Sequence, residues 1–193
     1  MLYLHRWDAT IEDMEALSTF NDLIKTGKMK MLGVSNFNAE QLEKVIQLQK
    51  DNGFDLISAI QNNNNFAVRD ISKEVVQMCV EHDIKIVTYS PLGAGFLTGK
   101  YKNGVGGNTR FSLIKGHQDI YFNESSFQRL DQLQKISAVT GYSTSHLALA
   151  WALHQPDVTS VLVGGRSREQ LEQALSALTF YDLDIFNELA SVK

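Results

Sequence analysis

Residues 84–101 concentrate the side chains of this 193-residue chain that could do chemistry. Residues 84–88, Ile-Lys-Ile-Val-Thr, read as a short buried strand. It ends on the aromatic Tyr89, breaks at Pro91 and opens into a glycine-bearing loop that carries Lys100. A flat ring at a strand end, followed by backbone free to approach a ligand, fits a cofactor cradle. Polar residues gather just past every other predicted strand too: His5, Ser35 with Asn36, Gln61, and residues 164–167 (Gly-Gly-Arg-Ser). His82, His117, His146 and His154 have no metal-ligand spacing, so no metal site is expected. Cys79 lies on the apolar side of a predicted helix and reads as core, as does Trp151.

Positioning those residues requires alternating strands and helices. Residues 2–4 form a first strand, and Thr10 caps a helix with Met14, Leu17, Phe20 and Ile24 inward, stopped at Gly27. Residues 30–34 form the next strand. Asn38 with Gln41 is a capping box for a helix buried through Leu42, Val45 and Ile46. Residues 56–60 form a third strand, running into the polar asparagines 62–65. Ser72 opens a helix with Val75, Val76, Cys79 and Val80 inward. The fourth strand is followed by a loop over residues 93–123, too long for an ordinary connection and therefore functional or mobile.

Phe127, Leu130, Leu133 and Ile136 mark a helix stopped at Gly141, and Leu147, Ala148 and Trp151 another that ends before Pro156. Residues 159–163 form a fifth strand. Ser167 and Gln170 then make a second capping box, for a helix buried through Leu171, Ala174, Leu175 and Leu178. A short helix over residues 183–192 closes the chain. Strand–helix repetition with crossover-length connections predicts an α/β fold with a parallel sheet. Polar residues at the carboxyl ends of the strands favour a (β/α) barrel. An open doubly wound sheet would carry a glycine-rich turn after its first strand, which is absent. No composition break or linker interrupts residues 1–193, so one domain is expected.

Composition narrows the partners. A net charge of −4 offers no basic stripe for nucleic acid. No apolar run reaches the roughly 20 residues of a membrane helix. A lone cysteine forms no intrachain disulfide and fits the cytoplasm.

Four segments carry a resemblance in register: residues 33–37 (Gly-Val-Ser-Asn-Phe), Gln61-Asn62-Asn63, residues 89–101 (Tyr-Ser-Pro-Leu-Gly-Ala-Gly-Phe-Leu-Thr-Gly-Lys-Tyr) and residues 163–172 (Val-Gly-Gly-Arg-Ser-Arg-Glu-Gln-Leu-Glu). The chain is similar to the aldo-keto reductase family over essentially its whole length, and most to the bacterial and potassium-channel-β-subunit-like branch. The resemblance implies a (β/α)8 barrel of TIM type, incomplete here, with about strands 4–8, their helices and the short final helix. It also implies NADPH-dependent reduction of aldehyde and ketone carbonyls.

The roles the resemblance implies are these. His5 is the histidine of the catalytic tetrad, orienting the substrate carbonyl. Tyr89 stacks on the nicotinamide, while Ser35, Asn36 and Gln61 bond its carboxamide. Backbone around Ser90, Leu92 and Gly93 approaches the pyrophosphate, and Lys100 and Arg110 clamp phosphates from the long loop. Gly164, Arg166 and Gln170, at a helix N-terminus, take the 2′-phosphate. Gln173 and Ala174 stand where relatives close on adenine with Glu and Asn, which weakens that contact by roughly 0.5–1.5 kcal/mol. Asn64 stands where many relatives have an aromatic. Phe111, Tyr121 and Phe122 are the candidate substrate walls.

The chain starts at what looks like the family's fourth strand. The first three βα units, with the Asp, Tyr and Lys of the tetrad, have no counterpart in it, while a whole barrel needs about 250 residues. Three functional readings follow: an NADPH-dependent reductase whose remaining part supplies proton donation, a non-catalytic NADP(H)-binding module acting through a partner, and a homo-oligomer pairing its open sheet edges.

Overall fold

Five strands alternate with helices along the computed structural model, which describes residues 1–192. In chain order the main elements are β1 (Leu2–Leu4), α1 (Met14–Lys25), β2 (Leu32–Ser35), α2 (Ala39–Asp51), β3 (Ala59–Asn63), α3 (Lys73–Glu81) and β4 (Lys85–Tyr89). They continue with α4 (Arg110–Leu113), α5 (Gly116–Tyr121), α6 (Glu124–Thr140), α7 (Thr144–Leu153), β5 (Ser160–Leu162), α8 (Arg168–Leu178) and α9 (Leu183–Ser191). The strands follow one another in the sheet in chain order, β1-β2-β3-β4-β5. β1 pairs parallel with β2 (Tyr3 opposite Gly33) and β2 with β3 (Ser35 opposite Gln61). Sequential parallel neighbours joined by helical crossovers are the signature of a partial (β/α)8 barrel. The residues group into two compact units, Met1–Asn63 with Asp70–Val87, and Asn64–Arg69 with Thr88–Lys193.

In the first unit every residue of β2 is buried, as parallel strands covered on both faces require. Leu42, Val45 and Ile46 of α2 and Val75 and Cys79 of α3 fill the same core. Burial pushes the Cys79 thiol up to about 11. Val80, expected inward, is exposed, and only Val75 and Cys79 of α3 are fully buried. The capping box of α2 forms as expected: Asn38 Oδ1 accepts from the Gln41 amide at 2.9 Å, and Gln41 Oε1 accepts from the Asn38 amide at 3.0 Å. Thr10 is not a cap. Its amide and hydroxyl both donate to Asp8 Oδ1, which caps a 3₁₀ turn over Ala9–Glu12, and Asp13 caps α1.

β3 starts at Ala59, three residues after its expected start, because buried Gln49 of α2 takes the preceding chain. Its Nε2 donates to the Asp55 carbonyl and its Oε1 accepts from the Ile57 amide. The strand then runs on through Gln61 and Asn62 to Asn63.

The second unit corrects the expectation of a long loop. Residues 93–123 contain a 3₁₀ segment (Gly93–Thr98), α4 and α5, and Phe96, Leu97, Tyr101, Phe111 and Tyr121 are buried in one cluster with α6 and α7. Phe111 and Tyr121, expected as substrate walls, are core. Phe111 stacks on Tyr101 at 4.1 Å and Tyr121 on Phe96 at 5.6 Å. The glycines there serve the turns: Gly99 closes the 3₁₀ segment at φ +80°. α8 also differs from expectation, since it buries Ala174 and Ala177 while Leu171, Leu175 and Leu178 stay exposed.

Candidate functional site

β1 and β2 place His5, Ser35 and Asn36 at their carboxyl ends, beside Gln61, which lies in the middle of β3 rather than at its expected end, within the first unit. Ser35 ends β2 and is buried, and its hydroxyl donates to the Gln61 carbonyl at 2.7 Å. Asn36 follows in the left-handed region at φ +58°, which Asn tolerates better than other non-glycine residues. That turn aims Asn36 Nδ2 at the His5 carbonyl (2.9 Å) and Ser35 Oγ (3.2 Å), while its amide donates to the Gln61 carbonyl (3.1 Å). A hydrogen-bonded network thus ties the ends of β1 and β2 to the middle of β3 and fixes the Ser35 and Asn36 rotamers. The His5 imidazole is exposed beside it. Tyr3 packs across Gly33, where a Cβ would come within 2.6 Å of the ring, so glycine is required at that point.

In the second unit, β4 delivers Tyr89, half-buried at its last residue. Ser90 turns the chain at φ +57° and the Gly93 amide donates to its carbonyl at 2.8 Å. The Gly95 and Leu97 amides both go to the Leu92 carbonyl. Of the backbone around Ser90, Leu92 and Gly93, the Gly93 amide is thus engaged inside the turn, and a Cβ on Gly93 would sit 3.0 Å from the Tyr121 ring. Leu92 packs its side chain against the aromatic cluster. Lys100 folds back towards the same turn, with its Nζ 4.9 Å from the Tyr101 ring centre and close over Gly95. Arg110, in α4, donates from Nε to His117 Nε2 at 3.3 Å, and burial with this guanidinium nearby holds the His117 imidazole below its ordinary value.

At the start of α8, Gly164, Arg166 and Gln170 are exposed. Ser167 Oγ accepts from the Gln170 amide. The expected second capping box is only half formed, because Gln170 Oε1 reaches past the cap to the Arg166 amide at 2.8 Å. Arg168 is drawn off to Glu172 at 2.7 Å. The Ser167 hydroxyl lowers the Glu169 carboxyl, so an ionised carboxylate already sits in the first turn. Arg166 is left as the cation for an anion there. Gln173 Nε2 donates to Ser143 Oγ at 3.0 Å, which ties the expected adenine contact to the cap of α7.

The asparagines after Gln61, read from the sequence as a polar loop, are buried and structural. Asn62 Nδ2 donates to the Phe37 carbonyl, and Asn65 Oδ1 accepts from the Ala67 and Val68 amides while its Nδ2 donates to the Tyr121 hydroxyl. An asparagine accepting from amides two and three residues on is an Asx turn, the one signal in the sequence that could have found it. Ser126 and Arg129 of α6 close on the Ala67 carbonyl, and the Arg69 guanidinium lies over the Phe66 and Trp151 rings. Nothing in residue spacing pointed to those partners.

Among the described residues no group of three or more His, Cys, Asp or Glu could hold a metal ion, and no helix is long and apolar enough to cross a membrane. A nicotinamide dinucleotide suits the donors present. Ser35 Oγ and the Asn36 amide are group types that bond a carboxamide, and in this structure the Ser35 proton and the Asn36 Nδ2 hydrogens are engaged with Gln61, His5 and Ser35 itself. Arg166 beside a helix N-terminus suits a phosphate.

The sequence matches the Aldo/keto reductase family over residues 1–191. It is 29% identical over 188 residues to L-glyceraldehyde 3-phosphate reductase of Escherichia coli K12, covering 93% of this chain and 54% of that one. It is 30% identical to a soybean (Glycine max) protein described as "Probable aldo-keto reductase 1" (92% of this chain, 50% of the other). It is 28% identical to a rice (Oryza sativa) protein described as "Probable voltage-gated potassium channel subunit beta" (92% and 56%). The chain spans about half the length of the curated relatives it matches.

Proposed function

This chain belongs to the aldo/keto reductase family, and from that premise we propose that it is the NADPH-binding part of a reductase of aldehyde and ketone carbonyls. The observation that carries the reading is the network of Ser35 and Asn36, at the carboxyl end of β2, with the Gln61 carbonyl of β3, since ligand-binding residues of barrels gather at carboxyl ends of strands. NADPH, when bound, supplies the hydride. Ser35 and Asn36 hold its carboxamide, and their mutual bonds keep the ring from turning. Tyr89 offers the flat face for the nicotinamide. Arg166, flanked by the Gln170 amide side chain, meets the 2′-phosphate. His5, anchored through its carbonyl by Asn36, orients the carbonyl of a small-molecule substrate. The compartment that best suits the single buried Cys79 is the cytoplasm.

Hydride addition to a carbonyl leaves an alkoxide that needs a proton. The Asp, Tyr and Lys that relatives use for this have no counterpart in these residues. Loss of such proton transfer commonly costs about 10²–10⁴-fold, so the chain by itself binds cofactor but does not turn over at a useful rate. A second reading, a non-catalytic NADP(H)-binding module acting through a partner, draws on the similarity to the rice protein described as a channel β subunit.

The test compares NADPH with NADH binding in the chain and in Arg166→Ala. A charge-assisted bond to phosphate is worth about 1.5–3 kcal/mol. The variant should therefore weaken NADPH by roughly 10- to 150-fold and leave NADH unchanged. Equal losses for both cofactors, or no loss for either, would remove Arg166 from the site.

A further inference from the structure

Two asparagines of the chain precede a glycine, Asn52 before Gly53 and Asn103 before Gly104. Asparagine is chemically labile, and glycine has no Cβ to keep its main-chain nitrogen from the carboxamide just before it. Residue types rank the two pairs alike. Their backbones are alike too. Each glycine lies at positive φ, +63° at Gly53 and +107° at Gly104. Each amide donates to the carbonyl three residues back, Lys50 at 3.2 Å and Tyr101 at 3.1 Å. The asparagine side chains differ. Asn52 Nδ2 donates to the Leu48 carbonyl at 2.9 Å and to Met14 Sδ at 3.5 Å, which holds the carboxamide against the end of α2. The Phe54 amide, next in the chain, donates to the Gln49 carbonyl at 2.9 Å and closes that helix end. Asn103 is exposed, and its carboxamide has no hydrogen-bond partner among the described residues. Its turn is anchored on one side. Tyr101 is buried on Phe111, and Lys102 bonds Asp131 and Gln134 of α6 at 2.7 and 2.9 Å. On the other side the amides of residues 105–107 donate to nothing among the described residues.

We propose that Asn103–Gly104 is a site of spontaneous deamidation and that the fold selects it over Asn52–Gly53. In the step, base removes the Gly104 amide proton and the nitrogen attacks Asn103 Cγ. The new N–C bond closes a five-membered imide as the Cγ–Nδ2 bond breaks, and ammonia leaves, taking up that proton. Water then opens one of the two imide carbonyls. Opening at Cγ gives aspartate, and opening at the main-chain carbon gives isoaspartate, whose main chain runs through Cβ. The sum is one water consumed and one ammonia released, with no change of oxidation state. At Asn52 the same attack must first free a carboxamide that is hydrogen-bonded at a helix end. Isoaspartate lengthens the turn by one carbon, so the bond from Gly104 to Tyr101 cannot keep its geometry. Residues 105–107, whose amides are unengaged, take up the change while Tyr101 and Lys102 stay anchored.

The test ages the purified chain at pH 7.5, folded and in guanidinium chloride. Peptide mass spectrometry follows both pairs, with the aspartyl and isoaspartyl forms separated. In the folded chain, conversion at Asn103 should run roughly 2- to 12-fold faster than at Asn52, the population factor for freeing one hydrogen-bonded amide. In the unfolded chain the two rates should converge. Asn103→Gln, which needs a less favourable six-membered ring, should remove the main acidic band from isoelectric focusing of the aged chain. No conversion at Asn103, or conversion at Asn52 as fast or faster in the folded chain, would overturn the proposal. So would a preference for Asn103 that persists in denaturant, which would trace it to neighbouring residues rather than to the fold. An acidic band that survives Asn103→Gln would overturn it as well. None of these readouts uses NADPH, so a failure here is distinct from a failure of the cofactor reading.

Discussion

Single side chains decide more of this site than their types suggest. Ser35 matters for its position: its proton goes to the Gln61 carbonyl and its oxygen accepts from Asn36, so one buried hydroxyl joins two strands. His146 shows a titratable group held by packing alone. Its Nε2 is buried without a partner, and its ring lies between Tyr142 (5.2 Å, stacked) and Phe180 (5.0 Å, edge-on). Burial holds the imidazole below its ordinary value of 6.5. A histidine whose folded-state value is depressed takes up its proton in the unfolded chain first. Stability is therefore full above pH 6.5 and falls as the pH drops from there towards the folded-state value. Urea midpoints at pH 7.5 and 5.5 should show a larger acid loss in the native sequence than in His146→Gln. Equal losses would mean that the ring is not held neutral by its surroundings. His117 acts in the same direction in both proteins and cancels in the comparison.

Among the elements, several caps with a partner within four residues were readable from the sequence, whereas the Thr10 cap and the second half of the Ser167–Gln170 box were not. The Asn38–Gln41 box, Ser72 at the start of α3, Gly141 at the end of α6 and the extent of α9 all form as the local pattern predicts. Asn38→Ala removes one half of the box and should cost about 1 kcal/mol of stability, within the 0.5–2 kcal/mol range of such caps. A shift in urea midpoint at constant slope would show it, and an unchanged midpoint would mean that α2 is held by its core face alone. Legibility ended where contacts span the chain. The start of β3 is set by Gln49, and residues 93–123 are ordered by aromatic packing on α6 and α7, neither of which has a local signature. The leucines of α8 misled for a related reason: helical spacing tells which residues share a face, not whether anything covers that face.

At the level of the whole chain, alternation of strands and helices made the (β/α) fold legible, and four motifs in register made the family legible. The site was legible in part. Ser35, Asn36 and Gln61 converge as expected, with the His5 main chain tied to Asn36. Arg110 and Gln173 are engaged elsewhere, with His117 and Ser143, and Gly93 has its amide committed to a turn, because hydrogen bonds formed on folding leave no trace in residue types. We propose that Ser35 and Asn36 contribute to a dinucleotide site and that the chain by itself does not turn over. A titration of the purified chain with NADPH tests it most directly, following tryptophan and tyrosine emission and then adding an aldehyde. The expected result is saturable quenching in the micromolar range and no NADPH oxidation above background. Absence of saturation in a chain whose circular dichroism shows intact helices would contradict the claim.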